Sequence, residues 1–176
     1  MRLVCCYVED QIKDDTILAI EQHWGDADFH VLSTSDPVGY VKTIHEYWKE
    51  AIGIFIVEPD IVIRPDVVDA VLYCDCDYGC FPYEWLTNVG PALGCTWFRS
   101  AFMRKYPKAI EEVLNSRISW RQFDVFLMRH LLARQYGEQP HVHLPPVEHL
   151  NEHKHLLPNA DPTPMMEVPS DIGNLY

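Results

Sequence analysis

Residues 54–65 read Ile54-Phe55-Ile56-Val57-Glu58-Pro59-Asp60-Ile61-Val62-Ile63-Arg64-Pro65. Four apolar residues run straight into two carboxylates. An unbroken apolar run of this length suits a strand buried on both faces, in the middle of a parallel sheet. Pro59 has no N–H to give to a ladder, so regular pairing should stop there. Glu58 and Asp60 then stand at the carboxyl end of a central strand, the end at which open α/β sheets bind ligands. Carboxylates there seldom improve packing, and they cost free energy unless a cation or hydrogen-bond donors compensate them. The fitting cation is a hard divalent ion that also touches phosphate oxygens. The alternative is that both acids cap a turn before Ile61.

Working outward toward the N-terminus, Leu3 to Val8 reads as a first strand. Asp14 or Asp15 can cap a helix running to Trp24, and Gly25 suits its end. Phe29 to Leu32 is a second strand, closed by the dense turn signal Ser33-Thr34-Ser35-Asp36-Pro37. From Val38 to Ala51 the apolar residues Val41, Ile44, Tyr47 and Trp48 recur at helical spacing. The first sixty or so residues therefore alternate β-α-β-α-β, a pattern that implies right-handed crossovers and a parallel sheet.

Toward the C-terminus, a short helix is expected over 66–72 and a loop over 75–82. A strand is expected over 93–98, with a close backbone approach at Gly94. Helices follow over 100–106 and 108–114, broken at Pro107, and the longest helix covers 120–136. Its apolar side carries Phe123, Leu127, Leu131 and Leu132, and Gly137 ends it. His141 to Leu144 reads as a short strand stopped by Pro145-Pro146, and Val147 to Leu157 as a helical turn. Beyond Pro158 the chain is Pro-rich and poor in bulk, a tail or arm. The expected organisation is one α/β domain over 1–157, a mixed, mostly parallel sheet flanked by helices, followed by a tail over 158–176.

The 176 residues are enough for a single core, and the 48% hydrophobic and 23% charged content is that of an ordinary globular chain. No apolar run is long enough to span a bilayer, and the N-terminal apolar stretch is too short for a secretory signal. Six cysteines, at 5, 6, 74, 76, 80 and 95, read as reduced thiols in a cytoplasmic setting. Cys5 and Cys6 are adjacent in a strand, so they face opposite sides. Cys74, Cys76 and Cys80 lack the usual spacing of paired zinc knuckles. The net charge of −12 disfavours a protein whose main task is gripping nucleic acid. Between Trp97 and Tyr136, however, eight Lys/Arg stand against three acids. That excess is either a solvated helical face or a local landing surface for a polyanion.

Several pieces in this order resemble a small nucleotide-sugar glycosyltransferase of the GT-A (Rossmann-like) kind, in particular short glycosyltransferase-like proteins of bacteriophages and actinobacteria. They are Val4-Cys5-Cys6-Tyr7, Phe55 to Ile61, Phe81-Pro82-Tyr83, Leu93-Gly94-Cys95-Thr96, Trp120 to Asp124, and His141 to His149. In that family an acid-x-acid motif holds Mn²⁺ or Mg²⁺ against the donor's diphosphate. Glu58-Pro59-Asp60 matches its position, although the usual form has Asp first, so Asp60 is the expected direct ligand beside Glu58. The resemblance also implies a late third ligand, with His149 the first candidate and His143 the second. It implies donor-binding positions at Tyr7, Thr34 and Asp36, with uridine as the default base. Tyr7 as a core residue and Asp36 as a helix cap are the competing readings. Asp124 is the expected catalytic base, because an apolar setting disfavours its ionised form, and the competing reading is an acid at a helix N-terminus favoured by the dipole. The acceptor hydroxyl would then attack the donor's anomeric carbon with inversion. Acceptor contacts are expected from Tyr83, Trp85, Trp97 and Trp120, whose rings can stack on a sugar or a base. For a phage-encoded chain the acceptor could be 5-hydroxymethylcytosine in DNA, in the cytoplasm of the bacterial host.

Two alternatives stand beside that reading. His149-Leu150-Asn151-Glu152-His153 matches an H-x-x-E-H zinc-hydrolase pattern, which needs a helix to bring its histidines to one side. A non-catalytic module that keeps a sugar-nucleotide fold is the other, since fold alone does not establish activity.

Overall fold

The computed structural model describes residues 1–82, 93–116, 118 and 122–150. Strands β1 (Arg2–Val8), β2 (Ala27–Leu32) and β3 (Ile54–Val57) alternate with helices α1 (Asp14–His23) and α2 (Gly39–Lys49). The expected β-α-β-α-β opening is thus present. β1 pairs in parallel with β2 on one side, Leu3 opposite Ala27, and with β3 on the other, Arg2 opposite Ile54.

The chain then forms β4 (Ile61–Val62), α3 (Pro65–Tyr73), β5 (Tyr78–Cys80), β6 (Cys95–Phe98), α4 (Ser100–Lys105) and α5 (Ala109–Asn115). A helix α6 (Val125–Gln135), wound with π-type turns, precedes the short strands β7 (His141–Val142) and β8 (Glu148–His149). The main sheet has the order β2-β1-β3-β6-β5-β7. β6 runs antiparallel to both its neighbours, and β7 is parallel to β5. Five of the six strands therefore point one way, and β6 alone is reversed. This is an α/β fold with a mixed, mostly parallel sheet.

Strand periodicity explains the layering. Val4, Cys6, Ile54 and Ile56 face one side, packed with Ile44 and Trp48 of α2, Phe102 of α4, Val113 of α5 and Leu131 of α6. Leu3, Cys5, Phe55 and Val57 face the other, packed with Ile20 of α1 and Val67 and Val71 of α3. Period-two alternation thus divides the adjacent cysteines between two cores, and all six cysteines are free. Trp48 is fully buried and donates its Nε1–H to the Tyr106 carbonyl at 2.8 Å, tying α2 to the end of α4.

Three expectations need correction. The segment 75–82 is not all loop, because β5 forms in it. Its Gly79 is where backbone and side chain crowd, since a Cβ there would lie 2.1 Å from the Trp97 ring. The α1 N-cap is Lys13, without a side-chain cap, and Asp14 and Asp15 occupy the first turn instead. The stretch beginning at Val147 is not helical. Val147 N–H bonds the Pro82 carbonyl and Glu148–His149 is a strand paired with β4, so cross-strand pairing overrides local helix preference. The expected long helix is described only from residue 122 onward, where Phe123, Leu127, Leu131 and Leu132 are all buried as expected. Among the described residues no helix is long and apolar enough to cross a membrane. The expected tail over 158–176 lies outside the described residues.

Candidate metal centre at the carboxyl end of the sheet

The acid pair is set by a turn. Val57 ends β3, and the Glu58 carbonyl accepts from Ile61 N–H at 3.2 Å, enclosing Pro59 and Asp60. Proline's fixed φ suits the second position of such a turn. Backbone bonds fasten the turn on three sides: Glu58 N–H to Gly94 carbonyl at 2.8 Å, Lys13 N–H to Pro59 carbonyl at 2.9 Å, and Leu150 N–H to Asp60 carbonyl at 2.7 Å. Both carboxylates thus leave one rigid turn at the rim of the sheet.

The third member arrives on the β4–β8 ribbon. Ile61 stands opposite His149 and Val62 opposite Glu148, so the residue after Asp60 faces the histidine. His149 is buried, and its Nε2 lies 3.4 Å from Asp60 Oδ2. One carboxylate oxygen from each acid and one imidazole nitrogen all fall within 4.8 Å of one another. A hard ion with ligands at about 2.1 Å keeps them roughly 3–4.2 Å apart, so small side-chain adjustments close this set around a cation. Carboxylates suit Mg²⁺ and Mn²⁺, while imidazole suits first-row transition ions, so the mixed set is compatible with Mn²⁺ among others.

The acid field reaches the groups beneath it. Burial pushes the Cys5 thiol up to about 12, with Glu58 and Asp60 adding to the shift. The buried Tyr40 hydroxyl is held well above the usual phenol range by burial first, then by Glu58, Cys6, Cys5 and Asp124. Glu58 and Asp124 are both among the charges that disfavour ionisation of this hydroxyl. Tyr40 packs edge-on against Phe123, at 5.3 Å between ring centroids. Asp124 is the N-cap of α6, and its Oδ1 accepts from Val125 N–H at 2.7 Å. Burial raises its carboxyl above the ordinary range, against the opposing pull of Val125 N–H and Arg129.

Other expected positions fall elsewhere. His143 does not join the acid–histidine group. Its ring packs against those of Phe81, Trp97 and His141, at 5.3, 5.1 and 4.3 Å between centroids. Trp97 is fully buried beneath Gly79, so no acceptor can stack on it. Asp36 accepts from Val38 N–H at 3.1 Å and from Lys42 Nζ at 2.8 Å, which makes it the organiser of the turn into α2. Thr34 is exposed in that turn, and Tyr7 packs edge-on against Phe29. Tyr83, Trp85 and Trp120 lie outside the described residues, as do Glu152 and His153. The zinc-hydrolase pattern loses its helical basis at its first residue, since His149 lies in a strand. Tyr40 carries no mark in the sequence, where it reads as one more apolar position in an amphipathic helix.

A groove of roughly 290 Å³ lies between α1 and the β4–β8 ribbon, lined by Leu18, Gln22, Arg64 and Glu148 among others. None of Glu58, Asp60 and His149 lines it.

Fold and site define an α/β protein with a mixed sheet and a carboxylate–carboxylate–histidine group at the carboxyl end of its central strand. Comparison with protein-family models, curated proteins and solved structures gives no match.

Proposed function

We propose that the chain is a metal-dependent glycosyltransferase that moves a sugar from a nucleoside-diphosphate donor to a hydroxyl acceptor. The observation that carries this reading is the convergence of two acids from one turn, Glu58 and Asp60, with the sequence-distant His149 on one cation-sized space. Such a space at the end of a central parallel strand is where a phosphate-bearing ligand meets an open α/β sheet. The GT-A resemblance supplies the reaction class.

In this proposal Asp60, Glu58 and His149 hold Mn²⁺, with Mg²⁺ the weaker fit. When bound, the ion supplies positive charge against the diphosphate leaving group. Pro59 and the three backbone bonds to the turn hold the carboxylates in place before any ligand arrives. That placement reduces the reorganisation needed during the reaction. Asp124 takes the proton from the acceptor hydroxyl as its oxygen bonds to the anomeric carbon. The bond from that carbon to the donor phosphate breaks, and its electron pair leaves with the nucleoside diphosphate. A single displacement of this kind inverts the anomeric centre. Burial of Asp124 raises its basicity toward the range useful for a general base.

The positive segment is a weak argument for a DNA acceptor. Arg99 points inward onto the carbonyls of Val71 and Cys76, and Lys105 pairs with Glu138 at 2.6 Å. The acceptor class proposed is therefore a hydroxyl compound without further restriction.

The test is a panel of nucleoside-diphosphate sugars incubated with the full chain and Mn²⁺, with release of nucleoside diphosphate as the readout. Release that requires Mn²⁺ and disappears in Asp60→Asn and Glu58→Gln is the expected result. Release that persists in both variants, or a wild-type chain that neither binds Mn²⁺ nor turns over any donor, overturns the proposal.

A further inference from the structure

At the opposite end of the parallel strands from Glu58 and Asp60, a second set of ligand atoms comes together. Cys74 is the C-cap of α3, Cys76 lies just before β5, and His141 opens β7. His141 Nδ1 is 3.3 Å from Cys74 Sγ and 3.3 Å from Cys76 Sγ, and the three atoms all lie within 4.8 Å of one another. A tetrahedral zinc ion, with Zn–S of about 2.3 Å and Zn–N of about 2.0–2.1 Å, separates its sulfur and nitrogen ligands by roughly 3.5 Å. The observed spacing is already close to that of a metal cradle.

The surroundings hold the cradle in shape. Arg99 Nε donates to the Cys76 carbonyl at 3.0 Å, and its Nη2 donates to the carbonyls of Val71 and Cys74. Arg99 N–H bonds the Asp77 carbonyl at 2.8 Å, and Trp97 Nε1–H reaches the Cys76 carbonyl at 3.4 Å. The loop carrying the two thiols is thus fixed through its backbone carbonyls rather than through its sulfurs. Cys76 N–H points at Cys74 Sγ at 3.3 Å, so the backbone also orients that sulfur. The His141 ring packs against His143 in a tilted arrangement, at 4.3 Å between centroids. Outer contacts of this kind set the direction of metal-ligating imidazoles.

The strand that carries His141 needs such an anchor. β7 pairs with β5 through only two positions, Gly79 with His141 and Cys80 with Val142, and both of its residues are exposed. An edge strand this short gains little from burial or from its ladder. Thiols and an imidazole also choose a softer ion than the carboxylate group does, zinc over manganese or magnesium.

We propose that Cys74, Cys76 and His141 bind a zinc ion that clamps edge strand β7 to the connection between α3 and β5. Each thiol releases a proton to solvent as its Zn–S bond forms, neutral His141 gives its Nδ1 lone pair, and water completes the tetrahedron. No electron is transferred. The chain runs on from β7 to β8, so the clamp also secures the segment that delivers His149.

The test uses the full chain, reduced and stripped of metal with a chelator, then titrated with Co²⁺ as a coloured substitute for zinc. The expected result is a thiolate-to-cobalt charge-transfer band that saturates at one ion per chain and is bleached by Zn²⁺. Cys74→Ser and Cys76→Ser should each weaken binding by at least about tenfold, as should His141→Asn. The band should persist in the Glu58→Gln/Asp60→Asn double variant, because that group contains no thiol. Zinc should raise the melting temperature of the wild type and leave Cys74→Ser/Cys76→Ser unmoved. No charge-transfer band in the wild type, a band that survives in Cys74→Ser/Cys76→Ser, or recovery of a Cys74–Cys76 disulfide unaffected by zinc would overturn the proposal.

Discussion

Asp124 is pulled in two directions. Desolvation disfavours its charge, while the Val125 amide and Arg129 favour it, and desolvation prevails. A carboxyl raised in the folded state binds its proton more tightly there than in the unfolded chain. Its contribution to stability is therefore greatest at low pH and falls as pH rises from the unfolded value to the raised one, then stays flat. Asp124→Asn keeps an acceptor for Val125 N–H and removes the half-buried charge. The variant should be more stable than wild type at neutral pH, with the difference closing below about pH 4. Urea midpoints at several pH values check this. Under the proposed mechanism the same variant should lose about 10²–10⁴-fold in kcat with little change in KM. His149→Ala should weaken Mn²⁺ binding by more than about tenfold, read by calorimetry. Glu58 and Asp60 were legible in the sequence because acids placed directly after a buried strand seldom serve its packing. His149 was legible only as one of nine histidines. Tyr40 was hidden, because a tyrosine in a helical stripe carries no sign of what its hydroxyl meets.

At the scale of elements, the strands differ in how much they show of themselves. β1 and β3 were readable because continuous apolar runs of four or more residues have one common structural use. β5 and β8 were not, since three- and two-residue strands have no period to detect and exist through their partners. β8 in particular is fixed by its pairing with β4, a contact between residues 61 and 149 that no local pattern announces. β5 is sensitive in a way its size conceals. Gly79 lies against the Trp97 indole, which is fully buried and has no room to withdraw. Gly79→Ala should therefore cost about 1–3 kcal/mol or more, lowering the denaturation midpoint at an unchanged m-value. Trp48→Phe should cost about 0.5–1.5 kcal/mol through the lost indole hydrogen bond, since the Tyr106 carbonyl keeps Ala109 N–H at 3.1 Å as a donor.

Over the whole molecule, the sheet, its helical layers and the acid–histidine group behave as one cooperative unit under the proposed function. Mn²⁺ supplied at a hundred times its dissociation constant should add about 2.7 kcal/mol to wild-type stability. For a chain of this length that corresponds to a rise of about 5–10 °C in melting temperature. Asp60→Asn should show almost none of it. The reversal of β6 has a separate consequence. β5 finishes, and β6 begins, on the rim that carries Glu58, and the Gly94 carbonyl is bonded to the Glu58 amide. The chain joining these two strands consequently departs from and returns to the neighbourhood of the acids. Its two ends, at Phe81 and Leu93, are both buried in the cores. Under the proposed function, replacing that connection should change acceptor choice with the donor requirement retained, which a panel of acceptors would read.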